Sequence, residues 1–320
     1  MKVLILGGGG FVGSAVVDRL VSEGHALRIL ERPGVAPHRS FRDDEEVEWL
    51  AGDALEASEI TVAMEGVDAV VDLIWTTLPR SSNDDPIFDV QSNIVGALNI
   101  LNAMRKQGVP RIIFISSGGT VYGRPTYLPI DERHPTDPLV SYGITKLAIE
   151  KYLLMYESLY GIRAVILRVS NPFGERQRIE TAQGAIGVFL DRALRGAEIE
   201  IWGDGTVTRD YLYIGDVADA FSKALRYTGS CSVFNVGSGT GTSLLQILAA
   251  LEEVLGCPIR RKHLPGRPFD VPVNVLDNRL AGRELGWAPA VPLRDGLVKT
   301  AAWMKQQLAN AAGPVLPGRP

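Results

Sequence analysis

Short apolar runs alternate with longer amphipathic segments along the first half of the chain. The apolar runs, which predict buried strands, are KVLIL (2–6), ALRILE (26–31), VEWLAGD (47–53), DAVVDLI (68–74), RIIFIS (111–116) and AVILRV (164–169). The segments between them, such as SYGITKLAIEKYLLMYESLYG (141–161), place apolar residues at helical spacing. Apolar strands that alternate with crossover helices form a parallel sheet with helices on both faces. The pattern therefore predicts an α/β fold with a doubly wound parallel sheet.

The regular alternation ends after residue 170, where loops lengthen and Pro and Gly become more frequent. This change predicts a smaller, mixed lobe towards the C-terminus. VFNVG (233–237) has the pattern of one more sheet strand, so the chain is expected to return to the first domain. The predicted organisation is a first domain over 1–170 with a return at about 213–238, a second lobe over 171–212 and 239–310, and a loose tail over 311–320.

The composition excludes several classes of function. Of the 320 residues 46% are hydrophobic, and the formal net charge is −4, so there is no basic excess for a nucleic-acid backbone. No apolar run reaches the length of a membrane span, and the run in MKVLIL is too short for a signal peptide. We therefore expect a cytoplasmic protein without membrane or nucleic-acid partners. The four histidines and two cysteines lack the spacing of metal ligands, so no metal is expected.

A glycine block follows the first predicted strand and opens the first predicted helix. In GGGGFVG (7–13) the glycines are spaced Gly7-x-x-Gly10-x-x-Gly13. Glycines permit a tight turn and let the backbone approach a pyrophosphate, which then lies at the helix N-terminus. The position between strand and helix favours a Rossmann-type dinucleotide site over an ordinary glycine-rich turn.

Polar residues at the ends of the next two strands refine the nucleotide prediction. Glu31 ends the second predicted strand, where a carboxylate can accept from both ribose hydroxyls and repels a 2′-phosphate, which favours NAD. Arg32 keeps NADP open, because an arginine can accommodate that phosphate. Asp53, after the third strand, is either an adenine contact or a turn residue.

A tyrosine and a lysine lie four residues apart in SYGITK (141–146). In a helix this spacing places Tyr142 and Lys146 on one face. Such a pair alone is most simply an ordinary solvated helix face. Its meaning depends on the rest of the chain.

Several further motifs, taken in order, carry a resemblance to a known family. They are GGGGFVG (7–13), GDAL (52–55), SSGGTVYG (116–123), YGITK (142–146), LRVSNPFG (167–174), GDGTVTRDYLYIGDVA (203–218), FNVGSG (234–239) and RPFDVP (267–272). In order and spacing the chain resembles the extended short-chain dehydrogenase/reductase superfamily, and within it the sugar-nucleotide epimerases related to UDP-galactose (UDP-glucose) 4-epimerase. The resemblance covers about 300 residues, nearly the whole chain.

The resemblance implies that Tyr142 and Lys146 are a catalytic pair. Tyr142 would take a proton from a sugar hydroxyl, and Lys146 would hydrogen-bond the nicotinamide ribose. A free phenol has a pKa of about 10, and the nearby ammonium, together with the positive nicotinamide ring, is expected to favour the phenolate.

The loop after the fifth strand departs from the family pattern. Relatives carry Ser or Thr at the position of Gly118, where it orients the sugar hydroxyl. Thr120 is the expected substitute and Ser117 the alternative, although both could simply cap the strand end. Related dehydratases and decarboxylases carry a glutamate where Thr120 stands. Its absence leaves epimerisation or reduction as the expected chemistry.

The resemblance also implies a set of NAD-binding residues. They are Gly7, Gly10, Phe11, Val12, Gly13, Glu31, Arg32, Asp53, Ala54, Leu73, Tyr142 and Lys146. A second departure lies beside them, because relatives read roughly HLAA where this chain reads DLIW (72–75). Trp75 thus replaces a small residue beside the expected cofactor ribose, where it either packs outward or narrows the pocket.

In relatives the second lobe binds the nucleoside diphosphate. The matching positions here are Asn171, Trp202, Arg209, Arg267, Asp270 and Asn274. Two arginines from separate segments suit a pyrophosphate. Trp202 is a base contact or a core residue, and Asp270 bonds a ribose or only pairs with Arg267. Asn274 stands where a tyrosine in some epimerases restricts N-acetylated sugars, so we expect tolerance of a C2 N-acetyl group.

The predicted function is NAD-dependent epimerisation of a nucleoside-diphosphate sugar, at C4 of a UDP-hexose through a transient 4-keto sugar. Two alternatives stay open: an NADPH-linked reductase of a keto-sugar nucleotide, and a non-catalytic dinucleotide-binding sensor. As in relatives, helices over 85–107 and 140–160 are expected to pair across a homodimer.

Overall fold

A computed structural model describes residues 1–177, 179, 184–266 and 271–311. The strands are β1 (Lys2–Leu6), β2 (Ala26–Glu31), β3 (Val47–Ala51), β4 (Ala69–Asp72), β5 (Arg111–Ser117), β6 (Arg163–Val169), β7 (Asn171–Phe173), β8 (Ile199–Trp202), β9 (Thr208–Tyr213), β10 (Val233–Val236), β11 (Gly241–Ser243), β12 (Arg261–Leu264) and β13 (Val273–Asn274).

The helices follow the amphipathic segments, with one irregular stretch. They are α1 (Phe11–Ser22), α2 (Ala57–Ala63), α3 (Pro79–Asp84), α4 (Pro86–Asp89), a π-helical turn (Val90–Val95), α5 (Gly96–Gln107), α6 (Ser141–Tyr160), α7 (Ala185–Leu194), α8 (Ile214–Arg226), α9 (Leu244–Leu255), α10 (Arg279–Leu285) and α11 (Leu293–Ala311). The segment expected as one helix over 85–107 is therefore interrupted by a π-helical turn.

Seven strands form the main sheet in the order β10-β6-β5-β4-β1-β2-β3, and all neighbours are parallel. The predicted doubly wound α/β fold is confirmed. From β1 the chain order runs to β2 and β3 on one side of the sheet and to β4, β5 and β6 on the other. Ligands of such sheets bind at this switch point between β1 and β4, beyond the carboxyl ends of the strands. The predicted strand over 68–74 ends at Asp72, because the backbone beyond it leaves the sheet.

Two apolar layers cover the faces of the main sheet. On one face α1 and α8 pack on the sheet through residues such as Val16, Leu20 and Phe221, all fully buried. On the other, α2, α5 and α6 contribute residues such as Ile60 and Ile149. Burial on both faces is the physical reason for the continuous apolar runs of the strands.

The second lobe is built on smaller sheets. Strand β9 pairs with β7, β11 and β13, while β8 pairs with β12. A separate core of buried residues, among them Phe173, Leu190 and Leu251, holds α7, α9 and α11 together. Strand β10 lies in the main sheet beside β6, so the chain re-enters that sheet after α8.

Candidate active site

A cleft of about 400 Å³ lies at the switch point of the main sheet. Its wall includes seven of the predicted NAD-binding residues: Gly7, Gly10, Phe11, Glu31, Arg32, Asp53 and Ala54. Gly10 caps the N-terminus of α1 without a side-chain hydrogen bond, so backbone N–H groups of the first turn remain for an anion. The cleft therefore fits a dinucleotide.

The other predicted NAD-binding residues lie outside the wall of this cleft. Val12 and Leu73 pack against the core, and Gly13 is buried in the turn. Leu73 still borders the glycine loop, because a Cβ on Gly7 would lie 3.3 Å from its carbonyl carbon.

The glycine loop is closed on itself so tightly that Gly13 has no room for a side chain. A Cβ there would lie 2.0 Å from the carbonyl oxygen of Gly7. We expect Gly13→Ala to displace the loop, to lower the free energy of unfolding by about 1–3 kcal/mol and to weaken NAD binding. Denaturant unfolding and calorimetric titration measure the two effects.

The matched control is Gly282→Ala in α10, where the nearest atom outside the helix's own backbone to an added Cβ, the Trp287 carbonyl oxygen, is 3.6 Å away. This variant should be unchanged or more stable by about 0.5–1 kcal/mol. A Gly13→Ala protein as stable as Gly282→Ala would contradict the tight turn.

Glu31 contacts the glycine loop directly. Its Oε2 accepts from the backbone N–H of Gly9 at 2.9 Å, which holds the carboxylate in the cleft beside Arg32. We expect Glu31→Gln to weaken NAD binding by about tenfold or more, since a charge-assisted hydrogen bond is lost, and to narrow the preference for NAD over NADP. Binding titrations with both nucleotides provide the measurement.

The exposed Glu46, substituted by Gln, serves as the control and should leave both affinities unchanged. Tighter binding of NADP than NAD by the unsubstituted protein would show that Arg32 controls the choice instead.

Lys146 is buried among aromatic rings at the carboxyl end of β5. Its Nζ donates to the Ile115 carbonyl oxygen at 2.6 Å. The ammonium also lies 3.7 Å from the ring centroid of Trp75 and 4.7 Å from that of Phe114. Burial lowers the pKa of Lys146, and the carboxylate of Asp72 opposes that shift most strongly. The fold thus holds the ammonium between ring faces and one carbonyl.

Tyr142 lies one turn earlier and is half-buried. Its ring packs edge-on against Trp75 with centroids 5.0 Å apart. Burial raises the pKa of the Tyr142 phenol, and the Asp89 carboxylate raises it further. The expected preference for the phenolate relies on the positive nicotinamide ring as well as on Lys146, so it applies to the protein with NAD bound.

The loop after β5 reaches the first turn of α6. A Cβ on Gly143 would lie 2.8 Å from the Thr120 carbonyl oxygen, so Thr120 is adjacent to the tyrosine's turn. The Thr120 Oγ1 is buried and has no hydrogen-bond partner among the described residues. A Cβ on Gly118 would lie 2.5 Å from Leu276 Cδ1, so a side chain there would require the Leu276 side chain to shift. Ser117 is the last residue of β5 and is half-buried.

A buried carboxylate fastens the start of α6. The Oδ1 of Asp89 accepts from Thr77 Oγ1 at 2.5 Å and from Asn93 Nδ2 at 2.9 Å. Its Oδ2 accepts from Ser141 Oγ and Thr145 Oγ1, both at 2.7 Å. These bonds orient the turn that carries the tyrosine.

A buried ion pair lies one turn beyond Lys146. Arg168 donates to Glu150 through Nε at 3.0 Å and through a terminal nitrogen at 2.6 Å. Ser116 Oγ also donates to Glu150, at 2.5 Å. The pair joins α6 to the ends of β5 and β6, beneath the loop that contains Thr120.

A second cleft, of about 230 Å³, opens in the smaller lobe. Asn171 and Arg209 line it together with the N-terminal turn of α7. Asn171 Nδ2 donates to the Asp210 carbonyl oxygen at 3.0 Å, and Arg209 donates to that of Val271 at 2.6 Å. Gln177 lines both clefts, so the two adjoin.

Two further predicted substrate residues, Trp202 and Asn274, lie outside the lining of both clefts. Trp202 is 40% exposed at the end of β8 and lies outside the lining of both clefts. Asn274 is buried rather than on a cleft wall: its Nδ2 donates to the Gly118 carbonyl oxygen at 3.2 Å, while its Oδ1 is without a partner in the described chain. Arg267 and Asp270 lie outside the described residues.

Sequence reasoning missed the supporting residues Asp89, Glu150, Arg168 and Gln177. Only Glu150 carried a local signal, because it follows Lys146 at helical spacing. The partners of Asp89 on α6 are 52 and 56 residues away in the chain, a separation that no local pattern encodes.

The described part of the chain contains neither a cluster of metal ligands nor a membrane-spanning helix. No group of three or more His, Cys, Asp or Glu side chains there could hold a metal ion. Among the helices described, none is both long and apolar enough to cross a membrane.

Comparisons with known proteins agree with this geometry. Residues 3–237 match the model of the NAD dependent epimerase/dehydratase family. UDP-glucose 4-epimerase of Mycolicibacterium smegmatis is 34% identical over 311 residues, covering 96% of this chain and 99% of the relative. dTDP-4-dehydro-6-deoxyglucose reductase of Escherichia coli is 33% identical over 310 residues, covering 93% and 95%.

A solved structure extends the likeness to the whole fold. The crystal structure of UDP-glucose 4-epimerase from Thermotoga maritima, with UDP-glucose, superposes with a TM-score of 0.91 at 32% identity, covering 96% of this chain and 100% of that one. The glycine-loop cleft, the Tyr–Lys helix and these matches lead to one conclusion: the chain belongs to the NAD dependent epimerase/dehydratase family, and NAD is its cofactor.

Proposed function

We propose that the protein epimerises a nucleoside-diphosphate sugar, specifically a UDP-hexose at C4. The observation that carries the proposal is the placement of Tyr142, Lys146 and Thr120 on adjoining segments beside the cofactor cleft. Relatives named UDP-glucose 4-epimerase span nearly the full chain, which supports both the reaction and the UDP-sugar.

Each residue has a defined part in this chemistry. Held by Gly7, Gly10 and Glu31 in the cleft wall, NAD would supply the hydride acceptor and donor for the sugar carbon. Tyr142 removes and restores the proton of the sugar hydroxyl, and Thr120 Oγ1, which is buried and lacks a protein partner, hydrogen-bonds that hydroxyl. Lys146, held by the Ile115 carbonyl, keeps a positive charge near the tyrosine.

The second cleft is the proposed site of the nucleoside diphosphate. Asn171 and Arg209 line it, and the N-terminal turn of α7 adds backbone N–H groups suited to phosphate. Since Gln177 borders both clefts, a sugar attached to this diphosphate could extend towards the cofactor.

The experiment is incubation with a panel of UDP- and dTDP-sugars without added cofactor, followed by proton NMR of the anomeric signals. An epimerase converts one sugar into a mixture of two, and its NAD stays bound. Absence of turnover across the panel would support the non-catalytic sensor instead.

A second function, reduction of a keto-sugar nucleotide, is favoured by the similarity to the Escherichia coli reductase and by Arg32 in the cleft wall. Its signature is oxidation of added NADPH in proportion to the keto-sugar nucleotide consumed. The two functions are separated by whether net redox accompanies turnover.

We also propose a homodimer formed through α6 and the helical segment from α4 to α5. Exposed apolar side chains cover both: Ile87, Phe88 and Val95 on the segment, and Ile144, Met155 and Leu159 on α6. Two such helices from each copy would bury these side chains in a four-helix bundle.

We expect Leu159→Asp to convert the dimer to a monomer, because it places a charge in the buried contact. Sedimentation velocity measures the mass. Val62→Asp, which alters a similarly exposed residue on α2, should stay dimeric. A monomeric unsubstituted protein would rule out the interface.

A further inference from the structure

The carboxyl ends of the strands arrange the cleft residues in a fixed order. Along the sheet these ends carry Asp53 (after β3), Glu31 (β2), Gly7 (after β1) and Trp75 (after β4). Glu31 lies at the adenosine side and the glycine loop at the pyrophosphate. Trp75 therefore lies on the nicotinamide side of the cleft, whose wall it lines.

The contacts of Trp75 hold its indole in one orientation. Its ring lies 3.7 Å from Lys146 Nζ, measured to the centroid, and packs edge-on against Tyr142 at 5.0 Å. With the Lys146 cation over its face and the Tyr142 ring packed beside it, the Trp75 side chain has little rotational freedom.

The indole nitrogen of Trp75 is a buried donor without an acceptor. Its Nε1 has almost no exposed surface and no hydrogen-bond partner among the described residues. A buried N–H in this state costs free energy, so an acceptor is expected when the protein is in its working form.

We propose that Trp75 is a cofactor-binding residue whose indole N–H donates a hydrogen bond to a hydroxyl of the ribose on the nicotinamide side of bound NAD. The inference rests on the proposed assignment of the cleft. It also gives a role to the residue that departs from the small side chain of the family: the ring braces Lys146 and Tyr142, while the nitrogen holds the ribose between them and the glycine loop.

The test is a series of ligands of increasing length, ADP, ADP-ribose and NAD, titrated into cofactor-free protein by calorimetry. Trp75→Phe keeps an aromatic ring against Lys146 but removes the N–H. We expect its Kd for ADP-ribose and NAD to rise about 5- to 10-fold, as for one hydrogen bond, while the Kd for ADP is unchanged. Trp49→Phe on β3, outside the cleft wall, should bind all three ligands normally.

A second measurement uses protein in which Trp75 is unchanged. The chain has five tryptophans, and the ¹⁵N–¹H indole signal of Trp75 should shift on addition of ADP-ribose but not of ADP. If Trp75→Phe does not fold, the signal is assigned by elimination with the other four Trp→Phe variants.

Equal Kd values for ADP-ribose in the wild type and Trp75→Phe, or an indole signal that ADP-ribose leaves in place, would overturn this inference alone. The donor would then be satisfied by a water in the small void beside Asp72 and Phe114. Failure of NAD and ADP-ribose to bind the wild type would overturn the cofactor assignment as well.

Discussion

Tyr142→Phe should lower turnover of the sugar nucleotide by about 10²- to 10⁴-fold, the contribution of general acid–base catalysis. The substitution removes the phenol oxygen and keeps the ring that packs against Trp75, so the fold and the bound NAD should be retained. Initial rates on the sugar identified by the panel, together with NAD released on denaturation, measure both.

The matched control is Tyr160→Phe at the end of the same helix, where the ring is 45% exposed. It should turn over at the wild-type rate. Near-normal turnover by Tyr142→Phe would remove the tyrosine from the catalytic machinery, whatever its position beside Lys146.

Glu150→Gln should lower the free energy of unfolding by about 3–5 kcal/mol, because it leaves the buried Arg168 guanidinium without a counter-charge. Urea unfolding measures the change through the transition midpoint and slope. The double variant Glu150→Leu/Arg168→Met removes both charges and should recover much of the loss.

An exposed ion pair provides the comparison. Arg42 pairs with Asp44 at 2.9 Å with both side chains more than two thirds exposed, and Asp44→Asn should change stability by no more than about 1 kcal/mol. An equal loss in the free energy of unfolding at both sites would contradict the larger cost expected for breaking the buried pair.

The periodicity of the sequence predicted the sheet well, because strands buried on both faces must be apolar along their length. KVLIL and ALRILE coincide with β1 and β2 to the residue. The two longer predictions, 47–53 and 68–74, overran their strands. Those extra residues belong to loops that turn off the sheet to form the cleft, and local pattern does not distinguish them from strand.

The candidate site was likewise predicted only in part. Spacing and motif located the glycine loop, Glu31 and the Tyr142–Lys146 pair. They did not reveal that burial raises the pKa of the Tyr142 phenol, since desolvation depends on tertiary packing. They also did not reveal that Trp75 packs against both members of the pair, because its side-chain direction follows from the loop after β4.

The central claim is that the hydrogen at C4 leaves and returns on one bound NAD. The direct test is incubation of the purified protein with UDP-glucose in D₂O, without added cofactor, followed by proton NMR of the sugar. We predict that UDP-galactose forms and retains its original hydrogen at C4. Formation of the epimer with deuterium at that carbon, or of no epimer, would contradict the account.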